Sequence, residues 1–133
     1  MSFTNFKPQT YLCALLLLSG CAAGVTHTPA EIAPAAAAEQ RRLVTVGQQI
    51  ELRLDTGYTR VLKAGSQWQR VGSIAQGEVY KPHQDIFTLE GTHVHEAYLV
   101  IANDRLAGFY LPVEHGFSPL KQQISLTLSS TPQ

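Results

Sequence analysis

Ile50-Glu51-Leu52-Arg53-Leu54-Asp55 alternates apolar and charged side chains. That repeat belongs to an extended strand rather than a helix, because successive strand side chains point to opposite faces. Ile50, Leu52 and Leu54 would share a buried face, with Glu51, Arg53 and Asp55 toward water. Ile124-Ser125-Leu126-Thr127-Leu128 repeats the pattern near the other end. Between them turn residues recur at short intervals: Thr56-Gly57, Ala64-Gly65-Ser66, Gln76-Gly77, Pro82, Glu90-Gly91 and Asn103-Asp104. Residues 43–129 are therefore expected to form an all-β domain, a small antiparallel barrel or sandwich, with no helix of convincing length.

The strongest hairpin signal is Glu96 to Ala102, the pair Asn103-Asp104, then Arg105 to Leu111. Asn and Asp tolerate the positive φ angles of tight hairpin turns, and both flanking runs are rich in β-branched and aromatic residues. The runs are apolar on both faces, which predicts central strands covered on both sides or one face committed to a partner. Gly108 marks a bulge or a close backbone approach, Pro112 ends the strand, and Gly116 to Pro119 reads as an irregular crossing. Trp68, Tyr80, Phe87, Tyr98, Phe109 and Phe117 are the expected core aromatics. The sharper alternative is a binding surface of Trp68, Tyr80 and His83.

The other end of the chain is a different material. After Lys7 comes the apolar run Tyr11-Leu12-Cys13-Ala14-Leu15-Leu16-Leu17-Leu18. Its eight residues would cover about 12 Å as a helix, far short of a hydrocarbon core of roughly 30 Å. Leu18-Ser19-Gly20-Cys21 follows and resembles the lipobox of bacterial lipoproteins. The resemblance implies a signal peptide over 1–20, with Cys21 acylated as the first mature residue. By the same resemblance Ala22, where an aspartate is absent, implies sorting to the outer membrane; the domain then faces either the periplasm, the expected side, or the outside. Cys13 would leave with the signal, so the one remaining, blocked cysteine could form no internal disulfide. Residues 21–42 are rich in Ala and interrupted by Pro29 and Pro34, and they read as a tether able to extend about 70 Å. His27 would be solvated within it, and 130–133 form a tail.

Leu62-Lys63-Ala64-Gly65, followed by Trp68 to Val79 with its Val71-Gly72 step and Gly77 turn, is similar to the first half of bacterial Src-homology-three-like repeats. That resemblance implies a small barrel, in a family where peptidoglycan recognition is common. The stretch Lys81 to Glu96 is an insertion relative to those repeats, and Phe109 stands where they commonly show tryptophan.

Histidines supply the one visible chemical constellation: His83, His93, His95 and His115, near Glu90, Glu96 and Glu114. On one strand His93 and His95 would project from the same face about 7 Å apart, a separation that a zinc or copper ion can bridge if His115 or Glu96 supplies a third ligand. The alternative is a polar loop edge of solvated imidazoles. No serine sits in a nucleophile elbow and no free cysteine survives processing, so no catalysis is expected. Ten basic and ten acidic residues leave no positive excess for nucleic acid. The expectation is a non-catalytic binding or structural lipoprotein whose partners are the membrane, through Cys21, and another envelope protein. The alternatives are a periplasmic inhibitor or immunity protein, and a metal-binding protein using His93 and His95.

Overall fold

The computed structural model describes residues 23–130; the expected signal peptide, Cys21 and residues 131–133 lie outside them. In chain order the elements are β1 (Thr28–Pro29), β2 (Ala33–Pro34), α1 (Ala37–Gln40), β3 (Leu43–Val46), β4 (Ile50–Arg53), β5 (Thr59–Leu62) and β6 (Gln67–Ile74). They continue with β7 (Gly77–Pro82), β8 (Thr88–Glu90), β9 (Val94–Glu96), β10 (Tyr98–Ala102), β11 (Arg105–Leu111), β12 (Gly116–Ser125) and β13 (Leu128–Ser130). The main sheet runs β1-β12-β11-β10-β7-β6-β3-β13, with β2 added to β6, and every pairing is antiparallel. β4 pairs with β5 and β8 with β9 as separate hairpins. The result is a small, mostly antiparallel, sandwich-like β domain whose strand order is linear rather than clearly closed into a barrel.

Alternation decides which side chains are buried. In and after β4, Leu52 and Leu54 are buried and Ile50 is half-buried, while Glu51, Arg53 and Asp55 are exposed. The hairpin β10–β11 turns at Asn103 and Asp104, whose φ angles of 51° and 57° are both left-handed, as a two-residue turn matching strand twist requires. β10 and β11 are interior strands with both faces covered. Leu99, Ile101, Leu106, Phe109 and Leu111 enter one core with Trp68 of β6 and with Leu52, Leu62 and Leu89 from the two hairpins. Val100, Ala107 and Tyr110 enter a second core with Ile74, Val79 and Phe117.

What closes the second core corrects the expected tether. Ala30 and Ile32 pack on that core, β1 pairs with Phe117 and Gly116, and β2 pairs with Ser73 and Gly72. Residues 23–35 are thus a strap laid over the sheet, not a spacer. It lies flat because glycines face it. A Cβ on Gly72 would collide with the Ala33 carbonyl and Ile32; on Gly91 it would lie 2.9 Å from the Ala23 carbonyl oxygen. On Gly116 it would lie 2.6 Å from the His27 ring. Pro29 and Pro34 fit because the strap's ladder is so short: Ala30 N–H donates to the His115 carbonyl at 2.9 Å and Ala35 N–H to Val71 at 3.0 Å. Beyond the strap, Arg70 bonds Glu39 of α1 at 3.1 Å and faces Glu78 at 3.5 Å, which ties the short helix to the sheet.

Gly116 to Pro119 is likewise not an irregular crossing but the start of the ten-residue strand β12. Its register with β11 shifts between Leu106 and Gly108, and Gly108 opposes Pro119 there. The bulge absorbs the proline's missing N–H, and the absent side chain of Gly108 admits the Ser118 carbonyl. The alternation of 124–128 survives in burial, with Leu126 buried between half-buried Ile124 and Leu128. Its ladder is interrupted: β12 ends at Ser125, Leu126 N–H donates to the Asp104 carbonyl at 3.2 Å, and β13 pairs with β3 instead.

Candidate functional site

The aromatic surface does not form. Trp68 is 3% exposed and Tyr80 8%. The Trp68 ring meets Phe87 edge-on at 5.7 Å, Phe87 stacks on Phe109 at 5.8 Å, and the Arg60 guanidinium covers Phe87 at 4.9 Å. Trp68 Nε1 donates to Ser66 Oγ at 3.1 Å, so its polar edge is satisfied in place. Tyr80 hydroxyl donates to Glu78 at 2.8 Å. Burial first, and then the Glu78 carboxylate, hold the Tyr80 phenol well above its ordinary range. His83 is half-buried, with its backbone N–H on the Gln67 carbonyl at 3.0 Å. These two aromatics supply the core, as a small β domain with little apolar surplus requires.

The histidines do not converge either. β9 begins at Val94, so His93 belongs to the turn before it and does not share a strand face with His95. His95 lies opposite Leu89, on the inward side, and its Nδ1 is 2.6 Å from Glu114 Oε1. His115 is exposed, with a left-handed φ of 50°, in the turn between β11 and β12. Glu96 accepts from the Tyr98 hydroxyl, and burial first, then the Glu96 carboxylate, raises that phenol. Among the described residues no group of three or more His, Cys, Asp or Glu side chains is placed to hold a metal. What His95 and Glu114 do form is a clasp between the β8–β9 hairpin and the β11–β12 turn. Burial pushes the Glu114 carboxyl up, but the hydrogen bond from His95, a backbone N–H and the His95 charge outweigh it, leaving the group below its ordinary range.

A small cleft of about 140 Å³ opens beside Val25, between Leu54, Leu89, Phe109 and Leu120. It is well below the size of pockets that enclose drug-sized ligands, roughly 300 Å³ and upward. A second, outward groove runs between Val61 and Ile86, which are 40% and 72% exposed, with Arg60 along it.

The strap enters over the tip of the β8–β9 hairpin. Ala23 sits over Gly91, and the same glycine faces Thr56 and Val25. Thr56 Oγ1 donates to the Glu90 carbonyl at 2.7 Å, joining the turn after β4 to the β8–β9 hairpin. Tyr58, His93 and Val94 are exposed around this junction. Sequence reasoning missed the strap and its entry point; the available signal was Ala30-x-Ile32 inside a proline-rich segment, matched by the distant glycines 72, 91 and 116. No helix among the described residues is long and apolar enough to cross a membrane. Comparisons of the chain with protein-family models, curated proteins and solved structures yield no match.

Proposed function

We propose that this chain is a lipoprotein of the bacterial cell envelope, held at the outer membrane through a lipidated Cys21 and acting there as a non-catalytic binding or structural module. The observation that supports the reading is the position of Leu18-Ser19-Gly20-Cys21 relative to the fold. Ala23 is already packed against Gly91, so cleavage before Cys21 removes none of the described domain and leaves the lipid at its surface. For a protein partner, the domain offers the exposed Val61 and Ile86 across their groove, in place of the buried Trp68 and Tyr80.

Labelled palmitate fed to expressing cells tests the anchor. Incorporation into the wild type and its loss in Cys21→Ser, with the variant released from the membrane fraction, is the expected result. A chain that takes no label, or keeps it without Cys21, overturns the reading. Photo-crosslinking from position Ile86 in whole envelopes is expected to capture a discrete envelope protein; a purely structural lipoprotein with no protein partner gives no adduct.

A further inference from the structure

Two covalent steps separate Cys21 from Ala23. Consecutive Cα atoms are about 3.8 Å apart, so the Cys21 Cα lies within about 7 Å of the Ala23 Cα whatever the conformation between them. A lipid on Cys21 therefore has no leash. The strap spends the length that composition assigns to a tether, and the domain must meet the bilayer with the surface surrounding Ala23.

That surface consists of two turns. Ala23 rests on Gly91 at the tip of the β8–β9 hairpin, and Thr56 bonds the hairpin from the turn between β4 and β5. The exposed side chains there suit a headgroup layer rather than open water. Tyr58 is 43% exposed, and tyrosine concentrates at membrane interfaces because its ring is apolar and its hydroxyl polar. Val94 is 67% exposed and stands across from Glu90, on the outer side of the hairpin. His93 is exposed between Gly91 and Val94. Two carboxylates border the edge: half-buried Glu90 stands across from Val94, and Asp55, at the start of the other turn, pairs with Lys121 at 3.7 Å.

We propose that the turns 55–58 and 91–94 form a bilayer-docking edge, on which Tyr58, His93 and Val94 seat in the lipid headgroup layer and fix the orientation of the domain. The proposal rests on the reading that Cys21 is lipidated. It makes the domain a fixed attachment lying against the membrane, with the groove of Val61 and Ile86 held at a set height above it. Gln76, exposed in the turn between β6 and β7, belongs to neither of these turns and serves as the water-exposed reference.

The test uses the full-length protein, purified from membranes and reconstituted into vesicles of phosphatidylethanolamine and phosphatidylglycerol. Nitroxide labels are placed on Tyr58→Cys, His93→Cys and Gln76→Cys, all exposed positions, and folding is confirmed by circular dichroism. Loss of collision with a water-soluble relaxant at the first two sites, with full collision at Gln76→Cys, is the expected result. Tyr58→Trp adds a label-free readout, since its fluorescence should be quenched by brominated lipid while buried Trp68 is not. Mass spectrometry of the same samples reads the lipid on Cys21. Lipidated protein whose Tyr58 and His93 sites remain as water-accessible as Gln76 overturns the docking edge alone. Protein without lipid on Cys21 overturns the anchoring reading and the docking edge with it.

Discussion

Gly72 lies directly beneath Ala33: a methyl group on its Cα would strike the Ala33 carbonyl oxygen and come 2.7 Å from Ile32 Cγ1. The bare backbone of β6 is the seat of the strap. Gly72→Val should lift the strap and lower stability by about 1–3 kcal/mol, the usual cost of overpacking. Ile32→Ala removes the apolar peg without a clash and should cost about 1–2 kcal/mol, since Ile32 is only half-buried. Urea unfolding measures both, and limited proteolysis should cut within 23–36 earlier in Gly72→Val than in the wild type. A strap equally resistant in that variant would show that it is not seated by the glycine.

The turn of β10–β11 places two residues with side chains in left-handed backbone. Asp104→Gly relieves one of them and keeps the carbonyl that accepts the Leu126 N–H. Stability should rise by about 0.5–1 kcal/mol, because Asn-Gly is the preferred pair for this turn. Thermal melting checks it. An unchanged or lower midpoint contradicts the reading of this turn as strained.

Glu114 links acid stability to the clasp with His95. Its carboxyl pKa in the folded chain is depressed below the ordinary 4.5, so the clasp contributes fully above that value and loses its contribution as pH falls below it. Glu114→Gln should cost about 1–2 kcal/mol near neutrality and flatten the decline of stability on the acid side of pH 4.5. Chemical denaturation repeated across that range supplies the comparison. Parallel acid limbs for variant and wild type would exclude Glu114 as their source.

Tyr80 acts at the opposite end of the pH scale. Burial and then Glu78 raise its phenol above the ordinary 10.0, so the protonated side chain stabilises the fold below that pH and the contribution disappears as pH rises through the folded value. Tyr80→Phe should remove the highest-pH step from an ultraviolet tyrosine titration of the folded protein. It should also soften alkaline unfolding. A titration curve that loses an ordinary step instead would place Tyr80 in contact with solvent.

The parts of this fold that local pattern could reveal were legible: the alternation at Ile50–Asp55, the Asn103-Asp104 turn, and the two-sided burial of β10 and β11. All three are written in neighbouring residues. The strap is not, because its pairings are two residues long and join segments far apart in the chain, so no window contains both partners. Ala30 and Ile32 are too few to distinguish a cover from a spacer by composition. The histidine pair failed for a local reason. His-Val-His reads as three residues of strand, but the turn at Gly91 extends through His93 and leaves His95 alone to face inward, toward Glu114 rather than toward another imidazole.

The strap also sets an order of events in the life of the chain. Thr28 is made early, yet its sheet partner Phe117 follows about 90 residues later, and such distant pairings form late because the intervening chain must first be closed. Until β12 exists the second core has no lid, and Tyr110, Val100 and Ile74 stay uncovered. A growing chain therefore cannot complete the domain ahead of time. Its β1 has no ladder to join until the last long strand has arrived.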